Sequence, residues 1–382
     1  MALGLYVHVP FCSSTCDFCA FYQEKPRKNS IKSYLSGFRL EFMRVSPPRP
    51  ADTVFVGGGT PGVLSAAQLA ELCWIVRKAA GDGILEWSVE LAPSEVTEEK
   101  LRVLKSYGVT RISLGVQTFD PVHLAALGRN HPPDKALRAY DLIRSVGFPS
   151  VNIDLIFGAS GQTLDAWEHD IRRVVELQPD HISTYCLTFE EDTALYARLA
   201  KGELCIDPER EAAFYEFAWE RLPSAGYEQY EVSNYARPGK QCLHNLNTWR
   251  MSEWIGYGPS ASSQFGGKRY RNVADLEIWT GTLDAGQIPP HEEENTLSPA
   301  DLARDAVLFG LRLNAGIDLD ELAERFSIQS ECLAPLVGFL EQLVEGGLAE
   351  GVGKNFRLKP EGRILADAIM AELPETSRLS RV

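Results

Sequence analysis

HVPFCSSTCDFCAFY, residues 8–22, brings together three of the chain's eight cysteines in the spacing C-x3-C-x2-C. These are Cys12, Cys16 and Cys19, and they closely follow a short β-rich run at residues 5–9. If the chain loops between them, the three thiolates can meet at one metal centre, and thiolates select zinc, copper(I) or iron–sulfur clusters. Small buried cysteines have no reason to cluster on a loop after a strand, so a purely structural role is disfavoured.

The number of cysteines helps to separate these metals. Structural zinc requires four ligands, but no fourth cysteine is close, and His8 would have to fold back across Pro10 to serve as one. A [4Fe–4S] cluster held by three thiolates leaves one iron open to a small ligand, and closely spaced cysteines are a known way to hold such clusters. The stretch therefore favours an iron–sulfur cluster with one open coordination position.

The composition excludes some classes of partner. The 382 residues are 45% hydrophobic and 24% charged, which is an ordinary globular balance. The formal net charge of −14 argues against broad binding to nucleic acid, and it leaves at most a peripheral contact with a membrane. No apolar run approaches the roughly 20 residues of a membrane helix, and no signal peptide is recognisable. We therefore expect a cytoplasmic protein, with its cysteines in a reducing compartment.

Short β-rich runs alternate with amphipathic helical patterns through the first part of the chain. The β-rich runs cover residues 5–9, 53–58, 87–91, 111–117, 151–158 and 181–187. The helical patterns cover residues 30–45, 65–80, 97–107, 134–146, 163–177 and 208–225. Such alternation predicts a parallel sheet covered by helices. Periodicity alone leaves two architectures open, an incomplete (β/α) barrel and an open doubly wound sheet.

The pattern changes in the last 150 or so residues. Residues 230–290 are rich in aromatic residues, Asn and Gly, without a clean period. IPPHEEENTLSP, residues 288–299, has the composition of a linker. Helices are predicted at 300–314 and 318–326, followed by a helix, a glycine-bounded hairpin and a last helix in a winged-helix-like order. This tail has too few clustered basic residues to form a DNA-binding face.

The cysteine spacing after a first strand resembles that of the radical S-adenosylmethionine superfamily. This resemblance implies a [4Fe–4S] cluster whose open iron binds the amino and carboxylate groups of S-adenosylmethionine, in a partial (β/α)6 TIM-like barrel. VGGGTPGVL, residues 56–64, is consistent with it, because glycines after a strand let the backbone approach a ligand closely.

Further blocks resemble, in order, the oxygen-independent coproporphyrinogen III oxidase family and, within it, the heme chaperone (HemW) branch. The blocks are YVHVPFC, FVGGGTP, VELAP, RISLGVQTF, NIDLIFG and EVSNYARPGKQCLHNLNTW. The resemblance runs from about Leu5 to Glu372. It implies a barrel at 1–229, an extension at 230–290 and a small C-terminal helical, winged-helix-like domain at 291–382.

The resemblance also carries cofactor contacts onto particular positions. The contacts of one S-adenosylmethionine fall on Tyr6, Gly58, Glu90, Gln117, Arg129 and Asp154. Family members with two cofactor molecules line the second with Gly59, Thr60, Gln117, Arg129, Asp154 and Thr188. These roles are chemically reasonable, since Glu90 can accept hydrogen bonds from an amino group and Arg129 can pair with a carboxylate.

Three positions depart from the family patterns. The oxidase has a further cysteine two residues after the third ligand, where this chain has Phe21, so we do not expect coproporphyrinogen decarboxylation. HemW-type members carry an H-N-x-x-Y-W block, and here residues 244–249, HNLNTW, have Thr248 in place of Tyr. Ser262 stands where that branch usually has His. The heme-handling region is therefore altered.

Two principal functions remain open. The first is a heme chaperone that binds heme and passes it to a heme-accepting protein, with His244 as a candidate axial ligand and Cys242 as its rival. The second is a radical enzyme that acts on a tetrapyrrole or another small aromatic substrate through a 5′-deoxyadenosyl radical, with an electron donor for the cluster. Its reaction would be a methyl transfer or a ring closure that uses two cofactor molecules. A third reading, a cluster-carrying scaffold without catalysis, is not excluded by fold.

Overall fold

A mixed sheet forms the centre of the computed structural model, which describes residues 1–129 and 132–374. Its strands are β1 (Leu3–Val9), β2 (Thr53–Gly58), β3 (Glu86–Leu91), β4 (Arg111–Gln117), β5 (Ser150–Phe157), β6 (His181–Cys186), β7 (Glu228–Gln229), β8 (Asn234–Ala236), β9 (Glu253–Tyr257), β10 (Ser262–Phe265), β11 (Lys268–Asn272) and β12 (His291–Thr296). The spatial order is β12-β11-β10-β9-β1-β2-β3-β4-β5-β6-β8-β7.

The order of the first six strands decides between the two architectures. Strands β1 to β6 are neighbours in chain order, and each pairs in parallel with the next. A doubly wound sheet would reverse its strand order at a switch point, whereas sequential parallel strands are the arrangement of a (β/α) barrel. Strands β1 and β6 do not pair with each other but with β9 and β8. The predicted partial barrel is therefore confirmed.

Helices cover the sheet as the sequence predicts. They are α1 (Lys28–Arg44), α2 (Ala66–Ala80), α3 (Glu98–Ser106), α4 (Pro121–Ala126), α5 (Pro133–Val146), α6 (Leu164–Leu177), α7 (Ala194–Ala200), α8 (Pro208–Ser224), α9 (Leu243–Trp249) and α10 (Leu276–Asp284). Side-chain caps define where many begin: Ser65 and Gln68 form a capping box at α2, and Thr163 caps α6. No helix in the described ranges is long and apolar enough to cross a membrane.

The extension after residue 229 enlarges the same sheet. Strand β9 pairs in parallel with β1, and β10, β11 and β12 follow as antiparallel neighbours. The prediction of a linker at 288–299 is wrong in its centre, because His291–Thr296 forms the edge strand β12. Its acidic side chains lie mostly exposed at that edge, where charge opposes pairing with another sheet.

The C-terminal part has a hydrophobic core of its own. It contains α11 (Pro299–Gly310), β13 (Ile317–Asp318), α12 (Leu319–Phe326), α13 (Ala334–Glu345), β14 (Ala349–Val352), β15 (Asn355–Leu358), α14 (Pro360–Ile364) and α15 (Ala366–Ala371). Leu336 and Leu340 of α13 are at its centre, and β13-β15-β14 form a small sheet. The predicted hairpin is present. The division at 229 and 290 stays a prediction, and residues 375–382 of the last segment lie outside the described residues.

Candidate functional site

A cavity of about 810 Å³ lies inside the partial barrel. Its walls come from the loop after β1, the inward-facing residues of β2 to β6, helix α9 and the C-terminal part. It gathers most of the predicted site residues, namely Cys12, Cys16, Cys19, Gly58, Gly59, Thr60, Glu90, Gln117, Arg129, Asp154 and Thr188. Two predicted residues, Tyr6 and His244, are not part of its lining.

The loop that carries the cysteines is tied down by backbone hydrogen bonds. The Cys12 N–H donates to Glu24 O at 3.0 Å, and the Glu24 N–H donates back to Pro10 O at 2.6 Å, which closes the base of the loop. Near its middle, the Asp17 N–H donates to Leu127 O at 3.2 Å. The loop is thus held at its base and at its tip, with the three thiols facing the cavity between these points.

The three thiols share one electrostatic environment. Burial raises the pKa of Cys12, Cys16 and Cys19, while Arg129 lowers the pKa of all three. Within the described ranges, no three His, Cys, Asp or Glu side chains converge as ligands of a single ion. Three thiols on one loop beside a cavity are a donor set that suits an iron–sulfur cluster.

The glycine run packs against the base of the cysteine loop. The Gly59 N–H donates to Val9 O at 2.8 Å, and a Cβ on Gly59 would come within 2.6 Å of Phe11 O. Gly58 has φ of +100°, and a Cβ there would meet His8 Nδ1 at 2.6 Å. Only glycine satisfies both positions. The run therefore supports the loop in addition to lining the cavity.

Two carboxyl groups lie on the cavity wall. Burial, and then the charge of Asp154, raises the pKa of Glu90 to about 8. Asp154 is fixed by the Ser113 hydroxyl at 2.9 Å and the Asn152 amide at 2.7 Å. A cationic group placed beside Glu90 would lower its pKa again. The pair is suited to hold an amino group and a hydroxyl group of a ligand.

Arg129 and Gln117 also line the cavity, and each has an unusual feature: Arg129 in its hydrogen bonding and Gln117 in its backbone conformation. The Nε atom of Arg129 is buried and has no hydrogen-bond partner among the described residues. Gln117 is buried and has φ of 73°, a left-handed conformation that is costly for a residue other than glycine. Backbone strain of this kind clusters at ligand sites, and a guanidinium beside a cavity suits a carboxylate.

Tyr6 lies one layer behind the cavity wall. Its ring stacks on Phe55, which does line the cavity, with the ring centroids 6.4 Å apart. Its hydroxyl is 3.2 Å from His8 Nδ1, and burial raises its pKa. The structure therefore gives Tyr6 a contact with a lining residue but no direct place in the cavity.

The HNLNTW block lies at the opposite end of the barrel from the cysteines. Helix α9 packs where the parallel strands begin: Glu86, the first residue of β3, accepts the N–H groups of Leu243 and His244, each at 3.0 Å. Thr53, the first residue of β2, is 3.0 Å from His244 Nδ1. The cysteine loop instead follows the far end of β1. Helix α9 therefore closes the floor of the barrel.

Helix α9 and Cys242 directly before it form a plug in the floor of the barrel. The two candidate heme ligands, His244 and Cys242, are buried in this plug. Burial lowers the pKa of His244 to about 4, and its ring packs against Phe55 at 5.2 Å. Burial raises the pKa of Cys242 to about 12, and its thiol donates to Glu86 Oε1 at 3.4 Å. Within the HNLNTW block, it is Asn245 and not His244 that lines the cavity. Ligation of heme by His244 stays a prediction that none of these contacts favours.

The two positions that depart from the HemW pattern, Thr248 in the block and Ser262 beyond it, are peripheral. The Thr248 hydroxyl donates to His244 O at 3.1 Å within α9. Ser262 is exposed at the start of β10. Neither residue is part of the cavity lining.

The cavity also contains residues that sequence reasoning missed. Inside the barrel these are Arg111, Ser113, Asn152 and Ser183, on successive strands β4 to β6. The sequence contains a signal for the residues of β4. Strands buried on both faces are usually almost continuously apolar, but RISLGVQ at residues 111–117 alternates polar and apolar residues, which indicates that one face of the strand is polar. Arg312 and Arg363 come from the C-terminal part, and no local pattern marks them.

Comparisons with known proteins agree with this geometry. Residues 6–174 match the Radical SAM superfamily, and residues 297–365 match the HemN C-terminal domain. The solved structure of coproporphyrinogen III oxidase (HemN) from Escherichia coli, a radical SAM enzyme, has a TM-score of 0.83 and 25% identity, covering 97% of this chain and 89% of that chain. The chain is thus a radical SAM protein with the HemN fold.

The curated relatives define the family more closely. The chain is 32% identical to the heme chaperone HemW of Bacillus subtilis over 370 residues, which are 95% of this chain and 97% of the relative. It is 34% identical to the heme chaperone HemW of Mycobacterium tuberculosis, covering 97% of this chain and 94% of the relative. The chain belongs to the heme chaperone HemW family.

Proposed function

We propose that this chain is a heme chaperone that holds a [4Fe–4S] cluster and S-adenosylmethionine, binds heme in the cavity and delivers it to a heme-accepting protein. The observation that carries the proposal is one cavity that joins the three cysteines to the C-terminal part. Its volume of about 810 Å³ lies within the range of ligand sites. Its lining combines apolar residues such as Ile156 and Leu187 with charged groups.

Particular residues would hold the cofactors. Cys12, Cys16 and Cys19 would bind three irons of the cluster, and Arg129 would pair with a carboxylate of S-adenosylmethionine. Glu90, Asp154 and the backbone around Gly58 would accept or donate hydrogen bonds to its amino and ribose groups. When bound, the two cofactors supply one-electron chemistry, and the protein supplies position and exclusion of water.

The test uses the whole chain in three steps. Anaerobic reconstitution should give about four irons per chain. Titration with heme should then reach saturation with one heme per chain, and mixing with an apo heme protein should move the heme to the acceptor. A chain that binds zinc alone, or that shows no saturable heme absorbance, would contradict the proposal.

A second candidate function rests on the same cavity. The residues suited to S-adenosylmethionine share this cavity with the cysteines, and a radical enzyme would need the cluster and the cofactor side by side. Phe21, which is 66% exposed, lines the cavity where the oxidase has its extra cysteine, so decarboxylation of coproporphyrinogen is not part of this candidate. The test is substrate-dependent release of 5′-deoxyadenosine with a chemical reductant in place of the electron donor. If every tetrapyrrole tested gives 5′-deoxyadenosine only at the uncoupled rate seen without substrate, this second candidate function is contradicted.

A further inference from the structure

Two arginines from the C-terminal part line the cavity, and each lies over a tryptophan. The Arg312 guanidinium is 4.9 Å from the ring centroid of Trp249, and the Arg363 guanidinium is 4.8 Å from that of Trp219. Such contacts hold a guanidinium in place and are most favourable with tryptophan. The C-terminal part therefore contributes two positioned cations to the cavity that contains the cysteines.

The charge of Arg312 is compensated by neighbouring acids. Its Nη1 lies 3.0 Å from Asp367 Oδ1, and its Nε lies 3.8 Å from Glu231 Oε2. A third arginine of the cavity, Arg111, is compensated as well: burial acts to lower its pKa, but Cys242, Glu86 and other acidic groups raise it overall. These two arginines therefore have acidic groups beside them, although the Nε of each is buried without a hydrogen-bond partner among the described residues.

Arg363 differs because no carboxylate among the described residues lies within 4.0 Å of it, and Glu361 acts on it only from a greater distance. Its Nη1 donates to two neutral oxygens, Gln229 Oε1 at 2.6 Å and Asn314 Oδ1 at 3.0 Å. Its Nε is buried without a partner, and burial lowers its pKa. Burying a cation away from water is costly unless an anion pairs with it. A half-buried guanidinium on a cavity wall, with no carboxylate in contact among the described residues, is therefore a site for an anionic ligand group.

The cavity wall also includes several apolar side chains. Phe55, Ile156, Leu187, Tyr215 and Ile364 line the cavity together with Arg363. An apolar body with a carboxylate at its edge satisfies both kinds of surface, and heme has this form, with a flat ring and two propionates. We propose that Arg363 binds a propionate carboxylate of heme, with Arg312 beside it, so that the C-terminal part selects tetrapyrrole acids. This inference rests on the proposed heme-binding function.

The experiment compares heme with heme dimethyl ester, in which both propionates are esterified. Reconstituted wild-type chain should bind heme about tenfold to a hundredfold more tightly than the ester, as expected for hydrogen bonds to a charged group. Arg363→Gln should weaken heme binding by a similar factor and leave the affinity for the ester unchanged. Arg102→Gln is the matched control, because Arg102 is an exposed residue of α3 paired only with Glu98, and it should preserve the preference for heme.

The outcomes separate the inference from the proposed function. Equal affinity of the wild-type chain for heme and ester overturns the inference while heme binding stands, and this result needs no variant. An Arg363→Gln chain that binds the ester normally and keeps the preference for heme also overturns it. A wild-type chain that binds neither compound refutes the proposed function itself. Unchanged affinity of the variant for the ester shows that the rest of the cavity is intact.

Discussion

At the end of the barrel where the parallel strands finish, the cysteine loop and the glycine run border an open cavity. At the other end, where the strands begin, helix α9 fills the floor and its His244 is buried against Thr53. Both ends carry sequence blocks of the same family. The first end presents thiols and a strained glutamine to the cavity, whereas at the second end Glu86 accepts the N–H groups of Leu243 and His244.

The difference teaches that a family block can be structural. In barrels the chemistry lies at the ends where strands finish, and residues at the ends where strands begin usually serve stability. The HNLNTW block obeys this rule, with Asn245 as its member that reaches the cavity. Variants at the two ends should therefore separate loss of cofactor from loss of stability.

The largest effect is expected for the triple change of Cys12, Cys16 and Cys19 to Ala. Iron content after anaerobic reconstitution should fall from about four per chain to background. The unfolding free energy of the unreconstituted chain should change by less than about 1 kcal/mol, because the thiols are only partly buried. Cys205→Ala, which changes an exposed cysteine, is the control and should keep its iron. Full iron in the triple variant would refute the cluster site.

Glu86→Ala should chiefly affect stability. It leaves the N–H groups of Leu243 and His244 and the thiol of Cys242 without their acceptor, and such buried donors cost about 3 kcal/mol together. Urea unfolding measures this loss, and Glu86→Gln, which keeps one acceptor oxygen, should lose less. Reconstituted iron should stay at the wild-type level; a parallel loss of iron would mean that the two ends are not independent.

The pH dependence of stability should report the buried state of His244. Its pKa of about 4 in the folded chain lies below the ordinary value of 6.5, so the unfolded chain binds the proton more readily. The contribution is fully present above pH 6.5 and is lost as pH falls, by about 2 kcal/mol between pH 7.5 and pH 5. His244→Gln should remove this part of the slope in urea titrations.

Ser262→His restores the residue usual in the HemW branch at an exposed position. Surface changes of this kind usually alter stability by less than about 0.5 kcal/mol, so thermal unfolding should hardly move. Heme affinity should be unchanged, because Ser262 is not part of the cavity lining. A marked gain in heme binding would show that a heme site exists on β10 instead.

No effect at all is expected on the heme absorption spectrum when His244 is changed to Gln. The imidazole lies in the plug and not on the cavity wall, so it should not be the axial ligand. The spectrum of the folded, heme-loaded variant should superimpose on that of the wild-type chain. A shifted Soret band would establish His244 as a ligand, and it would require the floor of the barrel to open.

Much of the fold could be predicted from the sequence because its signals are local. The six β-rich runs and the helices between them agree with the structure to within a few residues at each end. Strand β12 was missed, since HEEENT has the composition of a linker and becomes a strand only by pairing with β11. The polar face of β4 could have been read from the alternation in RISLGVQ.

The sequence by itself determined the cysteine spacing, the glycine run and the order of strands and helices, because each depends on neighbours along the chain. Only the tertiary structure decided which residues meet: Thr53 and His244 are 191 positions apart, and Arg363 reaches the cavity from the far end of the chain. The protonation of His244 and the ability of Arg363 to bind an anion depend on how deeply each side chain is buried and on which opposite charge is nearest. Those quantities exist only once the chain has folded.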